Sequence, residues 1–200
     1  MQKLNIQDTS NPLAITLGNP GLKISRRHHV NLQTSRGQFG AYWWLETDFI
    51  FLDNLVANGF TYNPTSGAYT YRPENVKGNW NSTAVLGGNR FLDKEQRLLM
   101  RGKSTYNYIC NVDLTRVENL ATSQPSRVNH HIASQNITFS YNKENLRVEA
   151  IGDFAWNMAK REMDNAGSIN AFDFSYGISG LYDFPWKIQL ATDLKMYSRR

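Results

Sequence analysis

Period-two alternation sustained for a dozen residues at a time, and connections that alternate strictly between short and long, predict an all-β chain. The expected fold is an antiparallel, up-and-down segment of a transmembrane β-barrel with about eight long strands. Composition is the third observation. The 200 residues are 40% hydrophobic, 20% charged and 12% aromatic, with a mean hydropathy of −0.53. A helical membrane protein needs runs of roughly 20 apolar residues, and the chain has none. A barrel wall turns only alternate residues to lipid, so its average hydropathy stays low.

The first 25 residues are the least regular. Within them 13–17 reads as a short strand that ends at the turn signal Gly18-Asn19-Pro20-Gly21. Eight strands then follow over 27–36, 38–52, 74–91, 97–112, 128–142, 146–161, 170–183 and 186–198. Strand 38–52 is aromatic-rich, with Trp43 beside Trp44, and its facing is ambiguous, as is that of 74–91. In 97–112, Leu98, Met100, Gly102, Ser104, Tyr106 and Tyr108 oppose Arg97, Leu99, Arg101, Lys103, Thr105 and Asn107. In 128–142, Ala133, Gln135, Ile137, Phe139 and Tyr141 share a face. The pattern is clearest in 146–161, where Leu146, Val148, Ala150, Gly152, Phe154, Trp156 and Met158 oppose Arg147, Glu149, Ile151, Asp153, Ala155 and Asn157. Phe172, Phe174, Tyr176, Ile178, Gly180 and Tyr182 form the apolar side of the next strand, and Trp186, Ile188, Leu190, Thr192, Leu194 and Met196 that of the last.

Strand length favours a membrane. A soluble strand averages about 5–6 residues, whereas a tilted spanning strand needs roughly 9–11. Connection length is more discriminating. Short turns fall near Gly37 and at 92–96, 143–145 and 184–185, and long links at 53–73, 113–127 and 162–169. Up-and-down barrels require that order because every second connection lies on the same side of the membrane; a Greek-key sandwich does not. Trp43, Trp44, Trp80, Trp156, Trp186, Tyr182 and Tyr197 sit near strand ends, where interfacial aromatic girdles are expected. The face opposite the apolar one carries Arg97, Arg101, Lys103, Arg147, Glu149, Asp153, Asp173, Lys187, Asp193 and Lys195. The interior of an eight-stranded barrel holds only packed side chains, and burying so many charges there is costly. A wide aqueous lumen holds them easily, so the chain reads as part of a larger barrel. No apolar run follows Met1-Gln2-Lys3-Leu4-Asn5, which fits a start lying upstream.

Other chemistries find little support. The net charge of +5 is scattered, which argues against nucleic acid. The lone Cys110 excludes a disulfide framework and a cysteine zinc site. His28-His29 and His130-His131 are expected as solvated strand-end residues, since neighbours along a strand point to opposite faces and only one of each pair is free for a shared metal. Ser179 lacks a full nucleophile elbow, and Glu149 with Asp153 fits a channel wall better than a glycosidase pair. No catalytic residue, metal or cofactor is expected, and the chain is not read as an enzyme. The link 53–73 supplies the candidate ligand-binding residues Phe60, Tyr62, Tyr69, Tyr71 and Arg72, aromatic rings and a guanidinium suited to stacking on a sugar or siderophore-like ligand. The plainer expectation is a hairpin that packs its own aromatics.

Three stretches resemble the barrel of TonB-dependent receptors and related outer-membrane proteins. NPLAITLGNPGLK (11–23) resembles the start of a late barrel strand, TYNPTSGAYTYRPENVKGNWN (61–81) an extracellular hairpin returning into the next strand, and INAFDFSYGISGLYDFPWKIQLATDLKMYSRR (169–200) two strands near the end of such barrels. The resemblance implies a 22-stranded barrel closed by a plug, importing nutrients or metal chelates with energy delivered through TonB. Residues 1–200 would then be a partial barrel domain, without plug or signal peptide, in the bacterial outer membrane. Its implied partners are outer-membrane lipid, the rest of its barrel and plug, and, through the full-length protein, TonB and a surface lipoprotein. The alternatives are an outer-membrane barrel enzyme or assembly protein, and a soluble extended β-protein that binds glycans.

Overall fold

A computed structural model describes residues 4, 6–115, 120–163 and 168–199. Among them there is no helix. Two short strands, β1 (Gln7–Asp8) and β2 (Ala14–Leu17), are followed by β3 (Arg26–Gln38), β4 (Ala41–Asp53), β5 (Leu55–Asn63) and β6 (Ala68–Val76). The longer β7 (Asn79–Phe91), β8 (Leu98–Thr115), β9 (Gln124–Lys143), β10 (Leu146–Arg161), β11 (Ile169–Asp183) and β12 (Gln189–Arg199) complete the chain.

The long strands form one eight-stranded sheet in the order β12-β11-β10-β9-β8-β7-β4-β3, antiparallel at every step. These are the eight strands expected from the sequence, with ends moved by a few residues. The sheet is open: β3 and β12 are its two edges. Short turns at 39–40, 92–97, 144–145 and 184–188 lie along one end, and the longer excursions leave from the other. In the 92–97 turn the Asp93 carboxylate accepts the N–H groups of Leu98 (2.7 Å) and Arg97 (3.0 Å). The Leu98 N–H in particular holds its pKa below the usual carboxylate value.

Two expectations are corrected. The segment 74–91 is not one strand, because the chain bends at Gly78 (φ 94°), a left-handed conformation that suits glycine. The link 53–73 is the hairpin expected, built of β5 and β6 and leaving β4 through Asn54 (φ 52°), but it does not stand alone. With β1 and β2 it makes a second sheet, ordered β1-β2-β6-β5, in which β2 runs parallel to β6 and so departs from up-and-down order. Asparagines pin the bends. Asn75 accepts the Lys23 N–H (2.7 Å) and donates to the Asn54 carbonyl (2.7 Å). The buried Asn79 side chain takes the place of a backbone partner for Val112, accepting its N–H (2.8 Å) and donating to its carbonyl (3.2 Å).

The small sheet packs Ala57 and Val76 on Val112, with Leu55 and Leu114 alongside, and this is the compact apolar core of the described residues. The large sheet has no counterpart. The total surface is 14242 Å² for 22.9 kDa, against about 9,600 Å² for a compact monomer of that mass.

Candidate functional site

The candidate functional feature is the eight-stranded sheet itself, because its two faces differ across its whole width. Directly paired residues of antiparallel strands share a face, so the registers assign every side chain. One face carries Val30, Leu32, Phe49, Leu45, Ala84, Leu86, Tyr106, Ile137, Phe139, Ala150, Phe154, Phe174, Ile178, Leu194 and Met196, carried through register partners from β3 to β12. It is exposed from the middle strands to the edge, with Ile137 of β9 at 39% and Leu194 of the edge strand β12 at 63%. The few polar groups there are small or paired, as where Ser104 donates to Gln135.

An unbroken aromatic row bounds this face on the loop side. Phe51 stacks on Trp80 (6.2 Å between ring centres), Trp80 meets Tyr108 (4.6 Å), Tyr108 meets His131 (4.8 Å), His131 approaches Trp156 (6.2 Å), and Trp156 is the register partner of Phe172. The polar tips of Trp156, Tyr108 and His131 are paired. The Trp156 indole donates to Asn170 (2.7 Å), the Tyr108 hydroxyl donates to Asn129 (2.8 Å), and Tyr106 and His131 share a hydrogen bond (2.7 Å). A sparser row, Trp43, Tyr141 and Tyr182, lies on the same face at the turn side.

Register fixes how the strands tilt against these rows. The partners of Ala41 run through Arg90, Met100, Phe139 and Ala150 to Ile178, and β11 continues five residues past Ile178 to Asp183, over five steps from strand to strand. The aromatic row shifts in the same sense: Trp80 pairs with Cys110 but touches Tyr108, and His131 pairs with Met158 but touches Trp156. One residue per strand, at about 3.3 Å per residue and about 4.8 Å between strands, is a tilt of about 35°. Trp43 and Phe51 are eight residues apart on β4, and Phe172 and Tyr182 ten apart on β11. The two rows therefore bound a band about 25 Å tall. Across eight strands its area is on the order of 1,000 Å², beyond the roughly 300–600 Å² of the largest apolar patch on most soluble monomers.

The other face is polar and laced together. Arg101 reaches both Ser140 (2.8 Å) and Glu149 (3.1 Å), and Ser140 donates to Glu149 (2.8 Å). Asp153 accepts from Asn136 (2.6 Å) and Ser175 (3.0 Å) and faces Lys195 (3.6 Å). A hollow of about 580 Å³ opens among Lys103, Asn136, Asp153, Asp173, Tyr197 and Arg199. Of the charged residues expected on this face, Arg97 and Lys187 lie in turns and the others stand where expected.

Several side chains depart from expectation. Trp44 and Tyr197 belong to the polar face, not to an aromatic row. The Trp44 ring lies across Gly87, where a Cβ would come within 2.1 Å of it. The histidines divide between faces as strand neighbours are expected to, with His28 facing Asp53 (3.3 Å) and, on the polar side, His29 bonding Asp48 (2.7 Å) and His130 bonding Asn157 (2.5 Å); His131 departs from expectation by joining the aromatic row. In the hairpin, Phe60, Tyr62, Tyr69 and Tyr71 gather on one side, Tyr62 and Tyr69 at 4.9 Å and Phe60 edge-on to Tyr69 at 5.9 Å. Arg72, the register partner of Gly59, projects from the opposite side and donates to Asn19 (3.2 Å). The structure thus brings four of the five candidate residues together and separates the arginine. Alternation along β6 is the signal that separates them. Sequence reading missed the continuity of the aromatic row, which depends on registers between strands.

Comparison with known proteins finds no protein-family model, no curated protein and no solved structure that matches this chain.

Proposed function

We propose that the eight-stranded sheet is a wall segment of an outer-membrane β-barrel, its apolar face against lipid and its polar face against an aqueous pore. The observation that carries this reading is a band free of Asp, Glu, Lys and Arg across all eight long strands, bounded by aromatic rings between β4 and β11. Its height of about 25 Å and tilt of about 35° are those a membrane barrel requires. Water would meet Ile178, Leu194 and their neighbours at a high cost, about 25 cal/mol per Å² of apolar surface. The open edges of β3 and β12 call for further strands to complete the wall, and the charged polar face fits the wide lumen such completion would enclose.

Within that reading, the resemblance of 11–23, 61–81 and 169–200 favours a nutrient-uptake receptor of the TonB-dependent kind. The Phe60, Tyr62, Tyr69 and Tyr71 cluster supports a ligand-stacking role, because it stands on the loop side, outside the band. Refolding of the full chain from urea tests the membrane reading. The expected result is sheet structure and heat-dependent gel migration in detergent micelles or lipid vesicles, with aggregation in buffer alone. A monodisperse folded chain in buffer that ignores vesicles would overturn it in favour of the soluble extended protein.

A further inference from the structure

The two ends of the apolar face differ in charge. On the loop side the charged groups are mixed in sign: Arg127 is 3.5 Å from Glu162, and His28 is 3.3 Å from Asp53. On the turn side the apolar face ends in Arg36, Arg90 and Lys143. Arg36 is the partner of Trp43, Arg90 the partner of Ala41 and Met100, and Lys143 the partner of Leu146. With strands tilted by one residue per step, Arg36 and Arg90 stand at one level with Tyr141 and Tyr182, just outside Trp43, and Lys143 stands about two residues further toward the turns. All three are exposed, and among the described residues none makes an ion pair. The carboxylates of that end do not compensate them. Asp93 is engaged by backbone N–H groups, Glu95 shares its turn with Lys94 and Arg97, Asp183 accepts from Gln189 (2.7 Å), and Glu144, although next to Lys143 in the chain, makes no ion pair with it.

We propose that Arg36, Arg90 and Lys143 form a rim that takes the phosphates of anionic phospholipid headgroups on the turn side, an inference that rests on the membrane reading above. Arginine and lysine lay their alkyl stems on apolar surface and extend the charge outward. The arginine fork matches two phosphate oxygens. Such cations at a bilayer surface each raise affinity for anionic lipid about fivefold, so three of them are worth on the order of a hundredfold at low salt.

The test is partition of the full chain between buffer and vesicles of phosphatidylcholine, with and without phosphatidylglycerol. The chain is expected to enter both and to favour the anionic vesicles. The preference should vanish in Arg36→Gln/Arg90→Gln/Lys143→Gln, survive in the charge-conserving Arg36→Lys/Arg90→Lys, survive in the loop-side Arg127→Gln/Lys160→Gln, and weaken as salt is raised. Equal entry into both vesicles, or a triple variant that keeps the preference, would overturn the rim and leave the membrane wall standing. Entry into neither would overturn both. Competition by inorganic phosphate at constant ionic strength would make this a free-anion site and overturn the lipid assignment.

Discussion

The large and small sheets are built from the same kind of alternating strand, yet they dispose of their apolar sides in opposite ways. The small sheet of β1, β2, β6 and β5 closes Leu55, Ala57 and Val76 onto Val112 and Leu114, the usual solution in water. The large sheet leaves Leu32, Ile178 and Leu194 uncovered at 63%, 53% and 63% and bounds them with aromatic rows. One chain therefore holds a small sheet that is covered by the loop-side end of β8 and a large sheet whose apolar face has no cover among the described residues. The difference teaches that alternation alone does not identify a solvent; the fate of the apolar face does.

The sharpest way to break this contrast is to charge the middle of the band. Ile178→Arg should cost about 2–4 kcal/mol in a bilayer, while Ser179→Arg, one residue along and on the polar face, should be close to neutral. Denaturant unfolding from lipid vesicles measures both, and equal effects would remove the distinction between the faces. Next in size, Asn79→Ala leaves the backbone groups of Val112 without partners in a buried setting, at a cost of about 2 kcal/mol. Limited proteolysis should then cut at 63–67 while the large sheet stays resistant; simultaneous loss of both sheets would show that they are one cooperative unit.

A smaller effect separates two glycines of the large sheet. Gly87→Ala must move the Trp44 ring and should cost about 1–2 kcal/mol with a change in tryptophan emission. Gly152→Ala meets open space and should do neither. The smallest effect is acid sensitivity at the 92–97 turn. The N–H bonds of Leu98 and Arg97 depress the Asp93 pKa, so its stabilisation is present above the ordinary carboxylate pKa and is lost as pH falls through the lowered one. Melting curves of Asp93→Asn against the parent should differ at neutral pH and converge in acid.

Much of the large sheet was legible in the residues. Leu146 to Met158 and Phe172 to Tyr182 show an alternation that survives into the registers unchanged, because each strand's facing is a local property of the pleat. The hairpin aromatics were legible as a group for the same reason. Arg72 was not, since its separation from them depends on counting along β6 rather than on closeness in sequence. Trp43 and Trp44 were ambiguous because adjacent tryptophans fit either face equally; the registers with β3 and β7 place Trp44 on the polar side, where its ring lies across Gly87.

By itself the sequence determined the number of long strands, the side each connection takes and the two-faced character of the sheet, all of which follow from neighbours along the chain. Only the tertiary structure decided the stagger from strand to strand, the continuous row from Phe51 to Phe172, the bends at Asn54 and Gly78, and the placing of Arg36, Arg90 and Lys143 along the turn-side margin of one face. Those features arise between strands, where backbone hydrogen bonds set the register, and a pattern of period two repeats identically along each strand whatever its offset from the next.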